Sequence, residues 1–528
     1  MTSLWTSAEI ETATGGRASA PFDVSGVTFD SREVGVGDLF VAMPGTASDG
    51  HQFVGQAFAL GAAAALVSRH VDGPHVLVAD VAEALTALAV EARARTAATV
   101  IGVTGSVGKT STKEALAAAL TRSRKGPVHR SVKSYNNHTG VPLSLARMPR
   151  DSRFAVLEMG MNHAGEIAAL TRLVRPHVAL ITAIASAHIE HLGSMEAIAD
   201  AKGEIFEGLE EEGIAVIPED APYRDRLVKA ARGHADRTIT FGMSDDADVS
   251  PMHAARSDVG GSLVSARLVD SELTFTLSQR GEHWISNAMA VLAVVEAVGG
   301  DLAAAGLALA ELGGLKGRGE RHRIAVEGGA ALLIDESYNA NPASMAATLA
   351  SLGSERLSGR RIAVLGPMRE LGPDAEAMHV ALADPIRAAR VERSGKPEMF
   401  GKDIQHGQSS PATRSTSRAS PTPFDALTRT TSPGRRRSSK AAVAESASAT
   451  SVTGMAPASA LSRGRISSPT RISSSTFAAR TGSARPAWAA SLWLPSSRIV
   501  PRTAMRRPAQ ASAAKLARVA AIEAGLAL

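Results

Sequence analysis

From about Ala97 to Leu315 the chain alternates short apolar runs with stretches of helical period. Thr99–Val103, Phe154–Leu157 and Val178–Ile184 are continuous apolar runs, and helical patterns such as Gly165–Leu173 and Met195–Leu209 follow them. Continuous runs belong to strands buried on both faces, so this region predicts a mostly parallel sheet with helices on either side. Residues 1–96 predict a smaller α/β unit, with a buried strand at Leu39–Ala42 and helical period from Phe53 to Val67. A third α/β unit starts near Lys316, with strands at Ala331–Ile334 and Ile362–Leu365 and a helix from about Pro342. The pattern stops near Arg393, in mid-helix after Pro385–Val391. Beyond it no period of 2 or 3.6 persists, and Arg, Ser, Ala, Pro and Thr dominate, a composition that cannot readily bury a core. Three domains are therefore expected, 1–96, 97–315 and 316–392, followed by a disordered tail over 393–528. Only Ala513–Leu528 could form a short amphipathic helix there.

Charge changes this picture once it is divided along the chain. The net charge of +5 combines a tail with 20 Lys and Arg against 5 Asp and Glu (394–528) and a body with 37 against 47. The body is thus acidic, and a general affinity for nucleic acid does not follow from the overall charge. Aromatic residues in the tail (Phe400, Phe424, Phe477, Trp488 and Trp493) are too sparse for a stacking platform, so no nucleic-acid partner is expected. With no cysteine, disulfides and thiolate metal sites are excluded. Neither a signal peptide nor a run long enough to span a bilayer is apparent, and a cytoplasmic protein is the expectation.

One stretch carries strong chemistry. Val103-Thr-Gly-Ser-Val-Gly-Lys-Thr110 lies between a predicted strand and a predicted helix, where backbone N–H groups can converge on phosphate. The strict P-loop pattern places a glycine where this chain has Val103. Gly105, Ser106, Gly108 and Ser111 would shape the loop, Lys109 would neutralise phosphate oxygens, and the Thr110 hydroxyl would join a Mg²⁺ shell. Glu158 ends an apolar run, at the carboxyl end of a strand where ligands of parallel sheets bind, and is a candidate metal ligand.

Other residues are ambiguous by themselves. His188 and His191 could complete a metal shell or be ordinary hydrogen-bonded histidines. Lys202 stands among acids on a helical stretch, where a solvated charge is the plainer reading. Asn287 could read an adenine edge or face solvent near a helix start. Gly317-Arg318 and Asp335-Glu-Ser-Tyr-Asn-Ala-Asn-Pro342 could be functional, or the latter could be an Asn/Pro turn with a helix cap.

Together these stretches resemble the Mur ligase family, within it the branch that adds D-alanyl-D-alanine to a UDP-N-acetylmuramoyl-tripeptide. The resemblance rests on Thr104–Thr110, Leu157-Glu-Met-Gly-Met-Asn-His163, Tyr338-Asn-Ala-Asn-Pro342, Val364-Leu-Gly-Pro-Met-Arg-Glu-Leu-Gly372 and Asp30-Ser-Arg32, and covers about 1–392. It implies a three-domain α/β architecture, an ATP-dependent amide ligase working through an acyl phosphate, and a monomer. It implies further that Glu158 and His188 bind Mg²⁺ with Thr110, and that Lys202 is the lysine carbamylated in this family. Asn287 would meet adenine, Arg318 the nucleotide phosphates and Asp335 the ribose side. Ser31, Arg32, Asn136 and Asn137 would hold the UDP-sugar peptide, with Tyr338 and Asn339 also on the substrate side. Other Mur-type amino-acid ligases remain as alternatives, as does a nucleotide- and UDP-sugar-binding remnant without turnover. The chain departs from the family after Arg393, where the expected late Lys-Gly-Ser segment is missing. An out-of-frame reading of GC-rich coding sequence would produce such a tail, an expectation that sequencing of the DNA tests.

Overall fold

The computed structural model describes residues 3–45, 48–257, 261–326, 329–356 and 359–395. The disorder expected from 393 onward is overturned at Arg393–Gly395, which form a strand, and the rest of the tail expectations, including the helix over Ala513–Leu528, lie outside the described residues.

The first region is a five-stranded sheet in the order Arg17–Ala18, His75–Leu77, Ala64–Val67, Asp38–Val41, Gly26–Thr28. Leu39, Val41, Leu66 and Val76 pack against Leu85 and Leu88 of the helix Val81–Ala94. The helical expectation over Phe53–Val67 is half right. The helix Val54–Ala59 ends before Gly61, whose φ of +103° breaks it, and Ala64–Val67 is a fully buried strand. An apolar run that short fits either element, and the glycine decides. Trp5 joins this region to the next. It is fully buried, donates from Nε1 to Ala146 O at 2.8 Å, and lies under the Arg95 guanidinium at 3.3 Å.

The central region has six parallel strands in the order Arg237–Phe241, Ile214–Pro218, Val178–Ile181, Thr99–Thr104, Phe154–Glu158, Val128–Arg130. Separate apolar clusters cover its two faces, as the continuous runs require. Chain order reverses beside Thr99–Thr104, so the crevice at the carboxyl ends opens where the phosphate loop begins. The strand predicted to reach Ile184 stops at Ile181; Thr182 N still donates to Thr104 O at 2.8 Å, while its Oγ1 donates to Val107 O at 2.5 Å and ties this end to the phosphate loop. The helix predicted over Met195–Leu209 tightens to a 3₁₀ turn at Glu204–Gly208. An antiparallel sheet of Ser250–Arg256, Ser262–Arg267 and Glu272–Leu277 was not anticipated. Its strands bury alternate residues, such as Val264 and Ala266 with Leu263 exposed, a period-2 signal lost in a region read as alternating helix and buried strand.

The third region starts with an antiparallel hairpin, Glu320–Val326 with Gly329–Asp335. The helix Pro342–Ser354 follows, with Pro342 in its first turn and a capping box between Asn341 and Ser344. Ile362–Val364 pairs in parallel with Arg393–Gly395. The helices Ala375–Ala381 and Ala383–Ala388 complete a small core around Leu349, Leu371 and Ile386. Among the described residues, no helix is long and apolar enough to cross a membrane.

Candidate active site

The loop after Thr99–Thr104 shows why a valine is acceptable at 103. Val103 is a fully buried strand residue in register with Glu158 and Leu180, so the turn begins only at Gly105. Gly105 has φ +150°, and a Cβ there would lie 2.0 Å from Thr182 Oγ1. At Gly108 (φ +85°) a Cβ would lie 2.9 Å from Asn287 Oδ1. Both positions exclude a side chain. Ser106 ties the loop down, donating from Oγ to Ala185 O at 2.9 Å and accepting from Ala185 N at 3.0 Å. The helix Lys109–Arg122 then starts with its free N–H groups facing the crevice.

Behind that helix start lies a hydrogen-bonded acid. Glu158 is 1 % exposed and accepts from Thr110 Oγ1 and from Asn136 Nδ2, each at 2.9 Å. Thr110 Oγ1 is also 3.1 Å from Ser134 Oγ, which accepts from Arg318 Nη2 at 3.4 Å. A chain of contacts thus runs from the central sheet to the third region. Lys109 donates to Gly105 O at 2.5 Å; burial lowers its pKa, and Glu158 works in the opposite direction.

Two further candidates line the same cavity. Lys202 is 1 % exposed, and burial, followed by the charge of Lys109, holds its pKa well below the ordinary lysine value. His188 adopts a left-handed conformation (φ +62°). Its Nδ1 is 2.5 Å from Glu370 Oε2, within ion-pair range but off the line of the ring N–H, and burial lowers the imidazole pKa. Glu370 belongs to the third region, so that region reaches the histidine directly.

The cavity encloses about 370 Å³. Of the residues expected from sequence, it brings together Ser106, Gly108, Lys109, Thr110, Ser111, Glu158, His188, Lys202, Asn136, Asn137, Arg318, Tyr338 and Asn339. Arg318 stacks 4.0 Å over the Tyr338 ring. Gly105 and Asn287 support the loop without lining the cavity. Ser31 and Arg32 stand outside it, and the Arg32 guanidinium is engaged by Asp30 at 2.7 Å. Asp335 does not line it either. Its carboxylate accepts from Gly317 N at 3.2 Å and Ser337 N at 3.0 Å, which shapes the turn that presents Arg318.

Lining residues to which the sequence reading gave no role include Ser134, Trp284 and Glu336, with Asn162, Glu166 and Ser344 beside them. Glu336 follows the strand-ending Asp335 and so faces the opposite way, into the cavity. Burial raises its pKa to about 7, against the pull of Arg318. Strand alternation was the available signal for it. Ser134 had none beyond its place two residues before Asn136.

The donor set suits a magnesium ion. Thr110 and Glu158 present hard oxygens already in contact, and the adjoining loop can supply phosphate oxygens, the usual environment for that ion. The arrangement can therefore take up a nucleoside triphosphate and hold charge on its terminal phosphates.

Comparison with known proteins agrees with this geometry. Family models match residues 23–119 (Mur ligase family, catalytic domain), 103–295 (Mur ligase middle domain) and 317–415 (Mur ligase, glutamate ligase domain). The UDP-N-acetylmuramoyl-tripeptide–D-alanyl-D-alanine ligase of Escherichia coli is 38% identical over 385 residues, 71% of this chain and 81% of that protein. Its Bacillus subtilis namesake is 37% identical over 387 residues, with the same coverage. A crystal structure of MurF from Acinetobacter baumannii superposes with a TM-score of 0.66 at 29% identity, covering 76% of this chain and 92% of that one. MurF ligase from Thermotoga maritima in complex with ADP gives 0.58, also at 29% identity, covering 72% and 91%. With a phosphate loop between strand and helix, an acid locked to its threonine and matches of this extent, the chain belongs to the Mur ligase family.

Proposed function

We propose that this protein is an ATP-dependent amide ligase that joins D-alanyl-D-alanine to UDP-N-acetylmuramoyl-tripeptide in peptidoglycan precursor synthesis, working in the cytoplasm as a monomer. The observation that carries the reading is the Thr110–Glu158–Asn136 cluster. It places the phosphate-loop hydroxyl and the segment 134–137 on one carboxylate. The names of the relatives supply the substrates. In domain terms, residues 1–96 hold the UDP-sugar peptide, 97–315 hold ATP, and 316–392 begin the domain that receives D-alanyl-D-alanine.

A carboxylate is a poor electrophile, so ATP first phosphorylates the terminal carboxylate of the tripeptide. Lys109 and the N–H groups at the start of its helix hold the phosphate charge as the γ-phosphoryl group transfers. Thr110, Glu158 and His188 would hold a magnesium ion, which when bound would neutralise charge on the same oxygens. Arg318 meets the nucleotide phosphates from the third region, while Asn287 backs the loop from below the adenine side. The amine of D-alanyl-D-alanine then attacks the acyl phosphate, and inorganic phosphate leaves. Asn136, Asn137, Tyr338 and Asn339 orient the acceptor and keep water from the acyl phosphate. Ser31 and Arg32 hold the uridine diphosphate end.

Lys202 is carbamylated in this reading. Its buried, low-pKa amine is neutral enough to attack carbon dioxide, forming an N–C bond with loss of a proton. The resulting anion answers the charge of Lys109.

A second reading, a binding protein without turnover, draws support from the third region. Its strand residues Leu333, Ile362 and Val364 are 47%, 46% and 55% exposed, as in a sheet without its full cover. Phosphate release from ATP, measured with UDP-muramoyl-tripeptide and with or without D-alanyl-D-alanine, separates the two. Release that depends on the dipeptide, with pentapeptide product, supports the ligase. Nucleotide binding without such release supports the remnant.

A further inference from the structure

The helix that carries Lys109 buries a second lysine one turn later, and the mechanism above does not use it. Lys113 is fully buried. A buried ammonium persists only where several partners replace its water, and Lys113 has them. Its Nζ donates to Ser131 O at 2.9 Å and to Lys133 O, and lies 3.1 Å from Glu114 Oε1 and 3.7 Å from Glu158 Oε2.

The position of these partners gives the residue its meaning. Both carbonyls belong to the segment that follows the edge strand Val128–Arg130 and leads to Ser134 and Asn136. The same segment is tied to the acid a second time, because Glu158 N donates to Ser131 Oγ at 3.1 Å. At its other end it reaches the first region through the Lys133–Glu33 ion pair, next to Arg32. One ammonium therefore grips the phosphate-loop helix, the cavity acid and the segment bearing Asn136. Lys109, four residues earlier on the same helix, faces the phosphates.

We propose that Lys113 is a positioning residue that couples nucleotide binding to binding of the UDP-sugar acceptor. Movement of the helix start on phosphate binding is passed through the Lys113 ammonium to the backbone at 131–133, and so to Asn136 and Glu33. The inference rests on the substrate assignment given above. Lys113 touches no substrate; it acts through the segment it holds.

The test is a linkage measurement by calorimetry on the full chain, which needs no turnover. The affinity for UDP-N-acetylmuramoyl-tripeptide is measured with and without saturating non-hydrolysable ATP analogue, in the wild type, in Lys113→Met and in Ser131→Ala. In the wild type the analogue is expected to change acceptor affinity about tenfold, within the usual range for coupled sites. Lys113→Met is expected to bring that ratio to within about twofold of unity while nucleotide affinity alone changes less. Ser131→Ala leaves the ammonium satisfied and the fold intact, and is expected to reduce the ratio part of the way. It keeps the test decisive if Lys113→Met does not fold. A wild-type ratio near one, or an unchanged ratio in Ser131→Ala together with an unchanged ratio or no folded protein for Lys113→Met, overturns the inference. Failure of the wild type to bind either ligand overturns instead the assignment on which it rests.

Discussion

The central and third regions are both built from strands and helices in alternation, yet they differ in how their strands are covered. In the central region Ile101, Val156, Leu180 and Val216 are fully buried in the apolar cluster on one face of the sheet, and their strand neighbours Val100, Ala155, Ala179 and Ala215 in the cluster on the other. In the third region the described strands form two separate two-stranded sheets, and Leu333, Ile362 and Val364 remain about half exposed. Buried area governs what a residue contributes to stability, so the same residue types differ in worth between the two regions. The phosphate loop, the acid and Lys202 stand on the well-covered region. Arg318, Glu336, Tyr338 and the Glu370 contact to His188 stand on the other.

The largest effect expected is at the phosphate loop. Lys109→Ala should lower ATP-dependent turnover by about 10³-fold or more, since charge on the phosphoryl oxygens loses its nearest cation. Steady-state phosphate release checks this, with circular dichroism as the control for folding. A fall of less than tenfold would move the chemistry away from the central region.

Next come matched core truncations. Ile101→Ala should cost about 3 kcal/mol, while Ile362→Ala should cost under about 1 kcal/mol. Chemical denaturation followed by far-ultraviolet circular dichroism reads both. Equal costs would mean that the third region is as well packed in solution as the central one.

Acid should unfold the central side by a definite route. Burial depresses the His129 pKa to about 4, with Nε2 2.7 Å from Ser144 O. Its stabilising contribution is present above the unfolded value near 6.5 and lost as pH falls from there through about 4. The loss should be about 3 kcal/mol, and His129→Asn should flatten that part of the stability–pH curve.

The smallest effect is expected in nucleotide affinity and comes from Glu336, where burial raises the pKa to about 7. The folded form keeps its proton where the unfolded chain has lost it, so this contribution to stability declines as pH rises from about 4.5 through about 7. Ionisation also adds negative charge beside the nucleotide phosphates. Nucleotide affinity should fall a few-fold, about one pH unit either side of 7, and Glu336→Gln should remove that dependence. A pH-independent affinity in the wild type would place Glu336 away from the nucleotide.

The central sheet was legible because parallel strands buried on both faces leave unbroken apolar runs, as at Thr99–Val103 and Phe154–Leu157. The phosphate loop was legible because its glycines are forced by backbone geometry. Less could be read where a signal serves two purposes. Ala64–Val67 satisfies both a helix and a strand pattern, and the half-buried strands around Val264 were hidden by a stronger neighbouring rhythm. Glu336 was passed over for Asp335 because adjacent acids at a strand end look alike until the pleat assigns each a side. From its own neighbours Lys202 reads as a helix-surface charge, and Lys113 draws no reading at all, since no local pattern reports burial that arises from distant segments.

Trp284 lines the cavity, whereas Trp5 is sealed between Arg95 and the carbonyl of Ala146. The molecule therefore carries a built-in fluorescent reporter and an internal reference. Ligand entering the cavity changes the surroundings of one indole and leaves the other untouched. In a background where Trp488 and Trp493 are replaced by phenylalanine, a nucleotide titration followed by emission would resolve filling of the crevice from loosening of the joint at Trp5, two events that a single melting curve merges.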